Sequence, residues 1–220
     1  MSAGRALVVA KAPVPGRVKT RLGAAVGMEL AAELAAAALL DTVAACTAAF
    51  EQCHLALEGR LAESVRAVEL EKAFAGWSVF EQTDGDLGRR LADAHEHVGA
   101  TGTGPVVQVG MDTPQLTPGL LRQAAASTTR GAATLGPAAD GGWWVLALAA
   151  PRAAQALAGV VMSTPETCRR TEEALRAAGV SVRPAPLLQD VDTAVDAAAV
   201  AAAAPATRFA AAWRLAQGAA

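Results

Sequence analysis

The sequence predicts an α/β fold, a three-layer α/β/α sandwich built around a mostly parallel sheet. Two observations predict it. Short apolar runs of strand character alternate with longer helical stretches almost from one end of the 220 residues to the other. Unusual loops follow the apolar runs, and neither an internal repeat nor a linker divides the chain. We therefore expect residues 1–220 to form a single domain, a size that allows a full hydrophobic core.

Apolar runs bounded by turn residues predict the strands of this sheet. The first run, "RALVVA", has the character of a buried strand, and later runs end in loops such as "TDGDLG" and "GMDTP". In chain order, we predict strands at Arg5–Ala10, His54–Glu58, Trp77–Gln82, Pro105–Val109, Ala132–Leu135, Trp143–Leu148 and Val180–Leu188.

Longer stretches between these runs predict the helices. The longest has apolar residues at positions such as Leu30, Leu34 and Leu40. Another is predicted to begin at Thr164 as its N-cap, with Pro165 at the first helical position. We predict helices at Met28–Phe50, Leu61–Phe74, Arg89–Val98, after Thr117, at Thr164–Ala178, and in the alanine-rich sequence that follows residue 193.

The loops that follow the strands should meet at one place. In open α/β sheets, ligands bind beyond the carboxyl ends of the strands. The unusual loops comprise residues 11–23, 83–88, 110–114, 136–142 and 189–193. We expect them to line one edge of the sheet and to form one site.

Composition limits the class of protein. The chain is 53% hydrophobic and 18% charged, which indicates a globular fold rather than disorder. Its net charge of -2 argues against a nucleic-acid-binding protein, which would usually carry a basic excess. We find no signal-peptide pattern and expect no membrane span. These features predict a cytoplasmic protein, and a homodimer is among the oligomeric states that the sequence allows.

Cysteine and histidine do not suggest a metal site. Cys46, Cys53 and Cys168 are odd in number and lack metal-ligand spacing, which favours a reduced compartment and buried, inert thiols. His95 and His97 lie two residues apart on a predicted helix and would point to different faces. We expect both imidazoles at the surface.

The first loop, within "VVAKAPVPGRVKTRLG", concentrates positive charge in a slightly acidic chain. Lys11, Arg17, Lys19 and Arg21 have no acidic residue among them, and a phosphate-rich ligand would supply the missing negative charge. The spacing fits neither a P-loop nor a dinucleotide-binding fingerprint. The alternative is a basic loop that is simply solvated.

Aspartates at strand ends are the candidate metal ligands. Asp112 follows the buried run "PVVQVG" and could hold Mg²⁺ or Mn²⁺ while the metal keeps sites for phosphate oxygens; a turn or N-cap role is the alternative. Two D-x-D patterns compete with it. Asp86, in the first, could cap the following helix, whereas Asp190 and Asp192 could complete a metal shell, with Asp192 as the second ligand.

The segment "GPAADGGWW" suggests a pocket for a second substrate. Gly141 and Gly142 allow the backbone to approach a ligand closely, and an adjacent aromatic ring could stack on a sugar or base. Trp143 and Trp144 must face opposite sides of their strand, so we expect one in the core and at most one at the ligand. Asp140 precedes them and could orient an acceptor or act as its base.

Taken in order, "KAPVPGRVKTRLG", "QTDGDLGRRLADA", "VGMDTPQLTPGLL", "LGPAADGGWWVLAL" and "STPETCRRT" with "DVDT" resemble the bacterial glycosyltransferase-like family of the radical-SAM-associated transferase 1 type. This family belongs to the nucleotide-diphospho-sugar transferase superfamily with the GT-A fold. The resemblance covers Lys11 to Asp196, and the first motif also resembles 2-phospho-lactate guanylyltransferases. The chain departs from the pattern at Met111, at Met162 and at the tryptophan pair.

The resemblance implies roles for the motif residues. A nucleotide would bind at the first loop, with Gln82, Gly85 and Asp86 of the second motif as further contacts. A divalent metal would bind at Asp112, and an acceptor pocket would lie near "DGGWW". The leading hypothesis is therefore glycosyl transfer from a nucleotide-sugar to a small-molecule acceptor.

Two other functions stay open on the sequence alone. A nucleotidyltransferase would join an NTP to a phosphorylated small molecule and release pyrophosphate, and four cations suit a triphosphate at least as well as a diphosphate. A non-catalytic nucleotide-binding protein is the other alternative, although the several carboxylates argue against it.

Overall fold

The computed structural model describes residues 4–218, which form a twisted sheet covered by helices on both faces. The strands are β1 (Arg5–Lys11), β2 (Gln52–Glu58), β3 (Ser78–Glu81), β4 (Val106–Val109), β5 (Ala132–Pro137), β6 (Trp143–Leu148) and β7 (Ser181–Pro184). Their order across the sheet is β3-β2-β1-β4-β6-β5-β7. The inner strand β1 is almost entirely buried, and the central strand β4 is buried throughout.

Only β6 runs against its neighbours in this sheet. It pairs antiparallel with both β4 and β5, whereas the other pairs are parallel. The loop between β5 and β6 therefore lies at the same edge as the carboxyl ends of β1, β3 and β4. The predicted α/β class with a mostly parallel sheet is confirmed.

The helices form the outer layers. They are α1 (Thr20–Val26), α2 (Met28–Ala49), α3 (Ala67–Ala73), α4 (Leu87–Gly99), α5 (Pro118–Ser127), α6 (Thr167–Ala177), α7 (Ala194–Ala203) and α8 (Arg208–Gly218), with 3₁₀ segments at Leu61–Glu63 and Pro151–Gly159. Apolar residues of α2 and α5 pack on one face of the sheet. Those of α4, α6 and Pro151–Gly159 pack on the other. A smaller cluster joins α1, α7 and α8 to the outer side of α2.

Three predicted elements have a boundary that differs from the structure by more than two residues. The helix over Leu61–Phe74 is interrupted at Arg66, which takes the left-handed conformation (φ 56°), so only α3 is α-helical. The helix predicted from Thr164 begins at Thr167. The hydroxyl and carbonyl oxygens of Thr164 accept hydrogen bonds from the N–H groups of Glu166 and Thr167, which form a turn before the helix. The last strand ends at Pro184 rather than Leu188, since prolines offer no N–H to a neighbouring strand.

Helix α2 is long and apolar enough to cross a membrane by length and composition, which the sequence reading did not anticipate. Most of its apolar window, 78%, is buried inside the protein. The core helix of a globular domain can have the same length and composition, because it too must be apolar where it contacts the rest of the core. The absence of a membrane span therefore stays a prediction.

The sequence predicts His95 at the surface, and this prediction is wrong. In the structure the side chain of His95 is fully buried on α4. Burial lowers the pKa of its imidazole from 6.5 to about 3, so the folded protein keeps this side chain neutral. The unfolded chain takes up a proton below its ordinary pKa of about 6.5. The free energy of unfolding is therefore highest above pH 6.5, where His95 is neutral in both states. It decreases as the pH falls from about 6.5 toward 3, because only the unfolded chain takes up the proton.

We predict that His95→Gln reduces the loss of stability in acid. Between pH 7.5 and pH 5, protonation of the unfolded histidine should cost the wild type about 2 kcal/mol that the variant does not lose. Urea unfolding at both pH values measures the difference. The exposed His97 supplies the control, and His97→Gln should keep the wild-type pH dependence. An unchanged dependence in His95→Gln would contradict the prediction.

Candidate functional site

Two adjoining cavities lie at the carboxyl edge of the sheet, where the sequence placed the site. The first, about 490 Å³, is lined by five cations, and we call it the basic cavity. These cations are Lys11, Arg17, Lys19, Arg21 and Arg90. The second, about 230 Å³, is lined by Asp112, Asp140 and Asp190 among other residues, and we call it the acidic cavity. The two share a wall that includes Asp112.

The cations of the first loop converge on the basic cavity, but they are not unopposed. Each forms an ion pair, within 4.0 Å, with a carboxylate from another segment of the chain. The pairs are Lys11–Glu58, Arg17–Glu63, Lys19 with Asp112 and Asp192, and Arg21–Asp192. Acids distant in sequence therefore fold against the loop and balance part of its charge before any ligand binds.

Lys19 joins the first loop to two other loops of the site. It has a left-handed backbone (φ 46°) just before α1, and its side chain is only 12% exposed. Its Nζ donates to Asp112 Oδ2 at 2.9 Å and to Asp192 Oδ1 at 2.7 Å. Burial disfavours the ammonium charge, yet the two carboxylates outweigh it and raise the pKa of Lys19 above its usual value.

Gln82 lies in the wall of the basic cavity, and its contact with a nucleotide remains a prediction. Its Nε2 donates to the carbonyls of Ala10 and Ala56 at 2.9 and 3.1 Å, which fixes the carboxamide across the ends of β1 and β2. Its Oε1 accepts from Arg90 Nη1 at 3.0 Å, and the same nitrogen donates to Glu58. The second motif thus places Gln82 and Arg90 together, although the sequence reading had not singled out Arg90.

Gly85 and Asp86 do not line either cavity. Asp86 Oδ1 accepts from the backbone N–H of Arg89 at 2.8 Å and caps α4, in agreement with the capping role that the sequence predicts as its alternative. Contact of these two residues with a nucleotide remains a prediction.

An acidic cluster lies beside Lys19. One carboxylate oxygen from each of Asp140, Asp190 and Asp192 lies within 4.8 Å of the others. Asp190 is buried, and its Oδ1 has no hydrogen-bond partner among the described residues. Burial, with Asp140 and Asp112 close by, raises the pKa of Asp190 to about 6. A buried, unpartnered oxygen in a group of carboxylates fits a hard divalent cation such as Mg²⁺ or Mn²⁺.

The two tryptophans face opposite sides of β6, as the strand geometry required. Trp144 is 2% exposed, packs with α2 and α5, and donates from Nε1 to the carbonyl of Pro186 at 2.8 Å. Trp143 is half-buried on the α4 side. Both rings border the acidic cavity, but only Trp144 belongs to the core.

Gly141 and Gly142, in the loop before β6, have different structural roles. Gly141 (φ 88°) lies against the carbonyl of Pro165, where any side chain would clash, and its own carbonyl accepts from Cys168 N at 2.9 Å. Gly142 lines the acidic cavity and donates its N–H to Asp140 Oδ1 at 2.7 Å. The loop thus fixes the Asp140 carboxylate, and Gly141 acts through packing.

Gln108 and Ser163 also line the acidic cavity, and the sequence reading missed both. Gln108 is 2% exposed, and its carboxamide faces the buried imidazole of His95. A glutamine inside the apolar run "PVVQVG" was a signal that could have been used. Ser163 has a left-handed backbone (φ 60°), which no local pattern indicated.

The sheet order and the cavities at its edge define the class of protein, an α/β domain with the nucleotide-diphospho-sugar transferase fold. The chain belongs to the bacterial family described as "Uncharacterized protein conserved in bacteria (DUF2064)", whose profile matches residues 28–164. The match leaves out the first loop and the two aspartates at positions 190 and 192. No curated protein is similar enough in sequence to count as a significant match.

Solved structures support the same fold. A candidate nucleotide-diphospho-sugar transferase from Desulfovibrio desulfuricans G20 is 26% identical, with a TM-score of 0.85 over 99% of this chain and 96% of that one. A nucleotidyl transferase from Methanothermobacter thermautotrophicus is 19% identical, with a TM-score of 0.55 over 89% and 95%. A candidate glucose-1-phosphate thymidylyltransferase from Bacillus anthracis is 9% identical, with a TM-score of 0.52 over 94% and 99%. The last two are similar in fold alone.

Proposed function

We propose that this protein is a metal-dependent transferase that uses an activated nucleotide, and that it moves a glycosyl group from a nucleotide-diphospho-sugar to a small-molecule acceptor. The observation that carries the proposal is the juxtaposition of the basic and acidic cavities across Asp112. The Desulfovibrio structure, described as a candidate enzyme of that class, supports it.

The basic cavity is the proposed site of the nucleotide. Its cations neutralise the phosphates, and Lys19 and Arg21 stabilise the charge that builds on the leaving phosphate. Lys19 is held in place by two carboxylates, so its ammonium is positioned before the ligand arrives. The protein is proposed to be cytoplasmic, where nucleotide-sugars are at hand.

Two donor sets can hold a divalent cation, and they share Asp192. The first is the pair Asp112 and Asp192, which both contact Lys19. The second is the acidic cluster of Asp140, Asp190 and Asp192. When bound, Mg²⁺ or Mn²⁺ would polarise the phosphate oxygens and offset their charge.

Asp140 is the proposed orienting group or base for the acceptor. It lines the acidic cavity, and the N–H of Gly142 holds one of its carboxylate oxygens. The other oxygen remains for a hydroxyl of the acceptor, which would lose its proton as the new glycosidic bond forms. Trp143 supplies an apolar face beside it.

A nucleotidyltransferase is the second candidate. The five cations of the basic cavity are compatible with it, since they suit a triphosphate as well as a diphosphate. Product analysis separates the two, because glycosyl transfer frees a nucleoside diphosphate and nucleotidyl transfer frees pyrophosphate. A thermal-shift panel of NTPs and nucleotide-sugars, with and without Mg²⁺ or Mn²⁺, identifies the nucleotide for that assay. Binding without turnover across the panel would favour a non-catalytic protein.

We predict that Lys19→Ala and Arg21→Ala differ in their effects. Arg21 is largely exposed and pairs loosely with Asp192 at 3.6 Å, so its loss should weaken nucleotide binding and its salt dependence but leave the apo melting temperature nearly unchanged. Loss of Lys19 removes two charge-assisted hydrogen bonds and should lower apo stability by roughly 1–3 kcal/mol as well. Melting curves with and without nucleotide measure both effects. Normal nucleotide binding by both variants would contradict the assignment of the loop.

A further inference from the structure

Lys19 occupies a carboxylate that both candidate donor sets need. Its Nζ donates to Oδ2 of Asp112 at 2.9 Å and to Oδ1 of Asp192 at 2.7 Å. The other oxygen of Asp192 lies 3.6 Å from Nη1 of Arg21. Both oxygens of Asp192 therefore face a cation of the protein itself, and Asp192 belongs to each donor set.

The ammonium of Lys19 and a divalent cation compete for the same oxygens. Mg²⁺ binds oxygen at about 2.0–2.1 Å, so an ion on Oδ1 of Asp192 would lie beside an ammonium held 2.7 Å from that atom. The side chain of Lys19 is only 12% exposed, and water screens the repulsion between two cations weakly in such a place. One of the two cations must therefore leave before the other binds.

The two carboxylates keep their positions without the lysine. The backbone N–H of Val191 donates to the carbonyl of Asp112 at 3.0 Å, which ties the loop after β4 to the loop before α7. The N–H of Asp192 donates to Oδ2 of Asp196, at 3.2 Å, beside the capping box of α7. The backbone holds the two loops side by side, so the side chain of Lys19 can leave without separating them.

The basic cavity offers Lys19 a second place to bind. Its backbone is left-handed, with φ 46° and ψ 44°, a conformation that is uncommon for residues other than glycine and that clusters at ligand sites. Lys19 lines the basic cavity as well as contacting the aspartates. Phosphate oxygens in that cavity would accept charge-assisted hydrogen bonds from the ammonium in place of the two carboxylates.

We infer that Lys19 excludes the metal ion from Asp112 and Asp192 until the phosphates of a nucleotide engage the lysine, so that metal and nucleotide bind together. The inference rests on the proposed function and adds an order of binding to it. Without nucleotide, the ammonium of Lys19 neutralises part of the negative charge of the carboxylates. When phosphates arrive, the ammonium turns to them, and both carboxylates become free to bind the cation.

The test is the binding of Mn²⁺ alone to the full chain, measured by the loss of the EPR signal of free Mn²⁺. We expect weak binding by the wild type and binding about tenfold tighter or more by Lys19→Met, which removes the competing charge. Mn²⁺ alone should raise the melting temperature of Lys19→Met but not that of the wild type. Lys72→Met, the same change at an exposed position outside both cavities, should behave as the wild type does.

Two further variants separate the effect of charge from damage to the fold. Lys19→Arg keeps a cation beside the carboxylates and should exclude Mn²⁺ as the wild type does. Lys19→Gln removes the charge but keeps a hydrogen-bond donor, so it should bind Mn²⁺ tightly, and it serves as the neutral variant if Lys19→Met does not fold. Tight binding of Mn²⁺ by the wild type or by Lys19→Arg, or no gain in the neutral variants, would overturn the inference.

Nucleoside diphosphates test whether phosphates release the lysine. In the wild type, Mn²⁺ together with ADP, GDP, CDP or UDP should raise the melting temperature by more than the sum of the two separate effects, because each ligand favours the other. The excess should be smaller in Lys19→Met, which binds Mn²⁺ without a nucleotide. An equal excess in both proteins would count against the inference.

Failure of this inference and failure of the proposed function give different results. If Lys19→Met gains Mn²⁺ binding but the chain binds no nucleotide, the exclusion of the metal by Lys19 stands and the proposed function is wrong. If the chain binds a nucleotide but the wild type and the neutral variants bind Mn²⁺ equally well, the inference is wrong and the proposed function stands.

Discussion

Replacing Trp144 with alanine should lower the free energy of unfolding by about 3–5 kcal/mol. Trp144 is 2% exposed and packs among core residues from α2 and α5. Removing it opens a cavity where the centre of the sheet meets these helices, and it leaves the carbonyl of Pro186 without its donor. Both losses act on the folded state, so denaturant unfolding should report them directly.

Trp143→Ala is the matched control on the adjacent residue. Trp143 is half-buried at the acidic cavity, and its Nε1 has no partner in the described part of the chain. We therefore expect a much smaller loss of stability and a larger loss of ligand binding. Two equally destabilised variants, with unchanged binding in whichever remains soluble, would remove the aromatic face from the proposed site.

The pair of tryptophans illustrates what the sequence could predict. The alternation of side chains along a strand required one ring on each face, independently of the neighbouring elements. The same local rules predicted the buried strands and the long helix α2. They also predicted which loops share the carboxyl edge, because parallel strands place their ends together.

The pairing of charges could not be predicted in this way. Lys19 contacts Asp112 and Asp192, which are 93 and 173 residues away along the chain. Local sequence contains no information on such distances, so the first loop looked unopposed. The burial of Asp190 likewise depends on how several loops pack, and the interruption of the helix at Arg66 depends on a left-handed conformation that its residue type does not demand.

Replacing Asp192 with asparagine should abolish most of the metal-dependent part of nucleotide binding. At a hundred times its dissociation constant, a ligand stabilises the fold by roughly 2.7 kcal/mol, which a thermal-shift assay detects readily. Asn keeps the shape of the side chain but removes the charge that a hard divalent cation needs. Asp192 belongs to both candidate donor sets, so its loss should affect binding whichever set is used.

Two further variants decide between the donor sets. Asp112→Asn should remove the metal increment if the pair of Asp112 and Asp192 binds the cation, as the sequence predicted. Asp190→Asn should remove it if the acidic cluster does. For each variant, the metal increment is the difference between its melting temperatures in nucleotide with and without Mg²⁺ or Mn²⁺. Changes in apo stability therefore cancel. Asp86→Asn is the control, because Asp86 caps α4 outside both cavities. An increment that survives in Asp192→Asn and disappears in Asp86→Asn would assign the metal to "DGD" and refute both sets.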